Sequence, residues 1–194
     1  MLERTSGQRR WLVVLLGALT AVLALSAPAS AAKSLFFEET AEAFWTAPHT
    51  CADGSIVDGI LLVRTTRDFE SPEKEDADPT ARVQYLAVCP DGTSFSWGGI
   101  VPATITSANN LKSVTASGSG IARDILGVTH EVSFDVTWTA VGPLVTTVNG
   151  PGSKRQQREA TATGQVIFDG DVLVDGPANH PTRPAPFIRV DTEK

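Results

Sequence analysis

His49 and Cys51 stand two residues apart, and Cys89 is the one other cysteine of the 194-residue chain. One imidazole and two thiols can ligate a soft metal, and two thiols alone can join as a disulfide. Structural zinc sites take four ligands, usually in compact pairs, whereas this set offers three scattered ones. The pairing Cys51–Cys89 is therefore read as a disulfide, which implies an oxidising compartment, and no metal role is assigned. Both cysteines open the same short pattern: Cys51-Ala52-Asp53-Gly54-Ser55 and Cys89-Pro90-Asp91-Gly92-Thr93. The likeness ends after five residues, so two pinned turns are expected rather than a duplicated unit. Asp-Gly supports tight turns because both residues tolerate positive φ.

Other constellations carry less. Nucleophilic serine chemistry would show as G-x-S-x-G after a strand, but the chain has only "SGSG" at 117–120, in the wrong order. His130-Glu131 lacks the second histidine of a zinc-protease helix, and His130 is expected on the solvent side of a strand. Asp169, Asp171 and Asp175 could offer oxygens to calcium but lack the regular loop spacing. In "NGPGSK" at 149–154, Ser153 separates the glycine from Lys154, which breaks the phosphate-loop pattern. Acidic residues are plentiful enough to form a carboxylate pair across a groove. No catalytic residue and no cofactor follow from these patterns. Phe95 and Trp97 in "SFSWGG" form the candidate ligand contact: they share one strand face, and Gly98-Gly99 lets another surface approach. Core packing is the competing role for the same two rings.

The elements that must position these residues read as strands. In "THEVSFDVTWTAV", Val132, Phe134, Val136, Trp138 and Ala140 alternate with polar residues, the period of a half-buried antiparallel strand. Ala160, Ala162, Gly164, Val166 and Phe168 share a face in the same way. "ILLVRTTRDF" and "ARVQYLAVC" are rich in β-branched and aromatic residues. "FFEETAEAFW" at 36–45 fits either periodicity and is taken as the first strand. Asp-Gly at 53–54, 58–59, 91–92, 169–170 and 175–176, with Asn149-Gly150, marks turns, and hairpins are expected across 90–92 and 169–170. The expected fold is all-β: one antiparallel β-sandwich or closed β-barrel of roughly eight to ten strands. An acidic, proline-punctuated loop is placed at 68–79, and a proline-rich extended segment at 175–194.

Ahead of this domain, Arg4, Arg9 and Arg10 precede the apolar run "WLVVLLGALTAVLAL" and a small-residue stretch. That order is the signature of a secretory signal peptide over 1–31, with cleavage near Ala31. The run falls short of the ~20 apolar residues of a membrane span. Removing three of the 16 basic and one of the 22 acidic residues leaves 13 against 21, a net charge of about −8. Such a chain is repelled by nucleic acid and by anionic membranes. The layout resembles the small exported β-domains of bacteria, a likeness of class that assigns no residue a role. The expectation is a secreted, extracellular or envelope-associated binding or structural module with an unknown extracellular ligand. Two alternatives stand beside it: a secreted hydrolase built from strand carboxylates, and a carrier of an apolar ligand inside a barrel.

Overall fold

The structure is a computed structural model and describes residues 35–71 and 78–193. The signal-peptide reading of 1–31 and residues 72–77 of the acidic 68–79 segment lie outside these residues. Ten antiparallel strands follow in chain order. They are β1 (Leu35–Thr50), β2 (Ile56–Ser71), β3 (Thr80–Val88), β4 (Ser94–Ser107), β5 (Ser113–Asp124), β6 (Thr129–Ala140), β7 (Val145–Gly150), β8 (Ser153–Phe168), β9 (Asp171–Pro177) and β10 (Phe187–Glu193). The ambiguous 36–45 stretch is strand throughout. β2 runs on to Ser71, so residues 68–71, expected in a loop, are paired with β1.

Neighbours in sequence are neighbours in the sheet from β1 to β6, and β8 closes it. One edge of β8 pairs with β6 and then β7; the other pairs with β9 and then β10. β10 pairs in turn with β1, from Phe36↔Glu193 to Glu42↔Phe187, which completes a closed barrel. The proline-rich 175–194 segment thus ends as the strand that shuts the ring, with Ile188 fully buried. Where β9 takes the place of β10, the closure is a side-chain bond: Trp45 Nε1 donates to the Gly176 carbonyl at 3.1 Å.

Period-two patterning fills the interior. Ala41, Ala43, Trp45 and Ala47 point inward from β1, Leu61 and Val63 from β2, and Val132, Phe134, Val136 and Trp138 from β6. Small alanines face large tryptophans, the size alternation that packs a barrel of about eight strands solid. Asp58-Gly59 is not a turn but lies within β2. Its glycine is required by the neighbouring strand, because a methyl there would lie 2.6 Å from Tyr85 Cε2.

The two ends of the barrel differ. At one end, Glu39 is 4% exposed and accepts from Arg67 at 2.7 Å and Ser107 at 2.8 Å, a polar plug inside the sheet. The other end gathers the tight turns after β1, β3, β5 and β8.

Candidate functional site at the turn end

Three of these turns are built alike. The Cys51 amide donates to the Ser55 carbonyl and the Gly54 amide to the Cys51 carbonyl; Cys89, Thr93 and Gly92 repeat both bonds. Gly54 and Gly92 take φ of 82° and 85°, the left-handed region where glycine carries no Cβ penalty. Asp53 Oδ1 accepts from the amide and hydroxyl of Ser55, and Asp91 Oδ1 accepts from the same groups of Thr93. Those hydroxyl and amide bonds hold both carboxyls below the usual aspartate range. Each shared letter of the two pentapeptides therefore has a role, and the Cys51–Cys89 disulfide, with Cα atoms 6.0 Å apart, staples the turns together. His49 lies beside the disulfide, and both sulfurs it would need for a metal are bonded to each other.

The third copy, Asp124-Ile125-Leu126-Gly127-Val128, is not apparent as a match because Asp and Gly are no longer adjacent. Asp124 N donates to Val128 O, Gly127 N to Asp124 O, and Asp124 Oδ1 accepts from the amides of Leu126 and Val128. The fourth turn, Asp169-Gly170, carries positive φ at both residues, as a two-residue hairpin needs.

His130, expected to face solvent, is inside this end: its side chain is 15% exposed. It shares the inward parity of Val132, one step before the clean part of the alternation. Its Nδ1 lies 2.7 Å from Asp169 Oδ2 and its Nε2 3.7 Å from Asp124 Oδ2, so the ring joins the third turn to the fourth. The Asp169 bond raises the His130 pKa against an opposing burial effect, with Asp124 adding to it. In return, His130 and the Glu131 amide hold Asp169 below its usual range. Asp124 is pulled upward by burial, and the Val128 and Leu126 amides with His130 outweigh that pull.

Aromatic rings fill the space between the turns. Trp97 stacks on both Tyr85 and Phe168, and Phe168 packs against His130. Phe95 stacks on His49 at 4.8 Å. Burial, with Asp58 adding to it, pushes the Tyr85 phenol up to about 12, so it stays a donor, bonded to the Ala47 carbonyl at 3.2 Å. Of the two candidate contacts, Trp97 is 4% exposed and mainly core, while Phe95 is half-buried. Both line a cleft of ≈ 340 Å³ with Pro48, His49, Tyr85, Phe168, Asp169, Asp171, Val172 and Leu173. Asp175 lies apart from Asp169 in the ladder, opposite Gln165, so the three aspartates are not brought together as a set by the register.

Beside the turns of this end, Ile56, Val88, Ile125, Leu126, Val128 and Val172 are each more than half exposed, Leu126 at 82%, and Val172 also lines the cleft. Sequence patterning could not flag this collar, because single aliphatic residues beside turns are unremarkable until four turns converge. A larger groove of ≈ 630 Å³ begins here and runs over Phe44, Ile60, Leu62 and Leu86, with Arg123 and Arg183 among its walls.

The chain is thus a closed antiparallel β-barrel with a disulfide-stapled turn end. Comparison with protein-family models, with curated proteins and with solved structures finds no match to it.

Proposed function

We propose that the protein is an exported, non-catalytic binding module whose working surface is the turn end of the barrel. The observation that carries this reading is the apolar collar. Six exposed aliphatic side chains stand at the turn end, which carries the aromatic cleft and is held by the disulfide, the three like turns and the His130 bridge. Soluble domains that leave such patches exposed generally use them for binding, and a rigid surface loses little entropy when it is covered. The disulfide favours export, since such bonds persist in oxidising compartments.

The two alternatives find less support. A carrier needs an internal chamber, and this interior is filled by Trp45, Trp138, Leu61 and their neighbours. A hydrolase built from strand carboxylates needs two of them free to meet substrate, and Asp124 and Asp169 are both taken up by backbone amides and His130.

The test is native mass spectrometry of the protein purified gently from its own culture medium. Wild type should carry a retained ligand mass, and the Ile125→Ser/Leu126→Ser variant should lose it. A bare wild-type chain, or a mass kept equally by the variant, would overturn the proposal.

A further inference from the structure

We propose that the turn-end cleft holds a small, weakly hydrated organic cation of the quaternary-ammonium class. This deepens the binding-module reading and rests on it. Asp169 and Asp171 are among the residues that line the cleft, and neither lysine nor arginine is among them. The rest of the lining is mostly aromatic and aliphatic: Pro48, Phe95, Trp97, Phe168, Val172 and Leu173, with the rings of His49 and Tyr85 beside them.

Charge and wall chemistry together narrow the ligand. An anion would meet two carboxylates and no guanidinium. A neutral apolar ligand would take the Asp171 carboxylate out of water without compensation, which costs free energy. A calcium or magnesium ion needs six or more oxygens, and this wall is mainly carbon. A trimethylammonium head resolves the conflict, because its methyl groups suit apolar and aromatic walls while its charge suits the carboxylates. The ≈ 340 Å³ cleft has room for such a head with a short chain attached.

The wall is set before the ligand arrives. Phe168 is fixed between Trp97 and His130, and Phe95 against His49. Asp169 shares its charge with His130 and the Glu131 amide. Asp171, exposed at the start of β9, is therefore the carboxylate left to the ligand.

Isothermal titration with choline, 3,3-dimethylbutan-1-ol and glycine betaine tests this. The alcohol is the uncharged carbon counterpart of choline, and betaine adds a carboxylate that Asp171 would repel. Choline should bind about tenfold more tightly than the alcohol, a ratio within the range of cation–aromatic and charge effects. It should also bind more tightly than betaine. Asp171→Asn and Phe95→Leu should each weaken choline several-fold while leaving the melting temperature near wild type. Equal binding of choline and the alcohol, tighter binding of betaine, or no choline binding would overturn the proposal. Failure here with a collar-dependent retained mass in the native spectrum would reject the ligand class and keep the binding surface. Choline binding in the cleft with a retained mass indifferent to residues 125 and 126 would do the reverse.

Discussion

Replacing both cysteines, Cys51→Ser with Cys89→Ser, tests how the turn end is held. The bond spans 38 residues of sequence. Closing a loop of that length removes chain entropy from the unfolded state worth about 4 kcal/mol at 25 °C. No ladder pairing compensates for its loss, since β1 and β3 are both paired to β2 and not to each other, and the Tyr85–Ala47 bond is a side-chain link that remains between them. For a domain of this size each kcal/mol moves the melting temperature by about 2–4 °C, so the variant should melt roughly 8–16 °C lower. Reversible urea unfolding followed by far-ultraviolet circular dichroism gives the midpoint and the slope. If the bond acts on the unfolded chain, the slope should rise as well, because the uncrosslinked chain exposes more surface. A stability loss below about 1 kcal/mol would refute the loop-entropy reasoning. A full loss with an unchanged slope would place the effect in the native turns instead.

Three further substitutions probe other contacts. Gly59→Ala drives a methyl into the Tyr85 ring and displaces its bond to Ala47; overpacking and the lost bond should cost about 2–4 kcal/mol by urea unfolding, against about 1 kcal/mol for Tyr85→Phe. A Gly59→Ala cost below ~0.5 kcal/mol would show that the ring has room to move. Arg67→Met strips the partner from buried Glu39 and should cost about 3–5 kcal/mol, most of it regained in Glu39→Leu/Arg67→Met; a double variant no better than the single would count against the plug. His130→Asn should narrow the pH range of maximum stability. The raised His130 pKa stabilises the fold fully below 6.5, and that part is lost as pH rises through the folded value. The lowered Asp169 pKa stabilises above 3.8 and is lost as pH falls through its folded value. The melting-temperature gap between wild type and variant should therefore be widest from about pH 4 to 6 and shrink towards pH 8. A gap that widens from pH 6 to 8 would contradict the bridge.

The strands were legible because alternation is a direct consequence of a half-buried sheet, and Val132 to Trp138 state it without ambiguity. The cysteine pairing was legible from its chemistry, and the two matching turns from Asp-Gly and the hydroxyl that follows. Closure was not. Only the pairing of β10 with both β1 and β8 separates a barrel from a sandwich, and its β1 half joins residues about 150 apart in sequence. Gly59 misled because a glycine needed for Tyr85 looks the same in sequence as one needed for a turn. His130 misled because its two aspartate partners come from separate turns. The third turn was hidden because its aspartate stands where the other two carry their cysteine, with Ile125 and Leu126, the tip of the apolar collar, between it and the glycine.

Amide chemical-shift mapping of isotopically labelled protein, titrated with concentrated medium from its own source cells, tests the binding surface most directly. Shifts should concentrate in residues 49–58, 88–97, 123–130 and 167–173, and should vanish in the Ile125→Ser/Leu126→Ser variant. Shifts centred on the Glu39–Arg67–Ser107 end, or a spectrum that does not change at all, would contradict it.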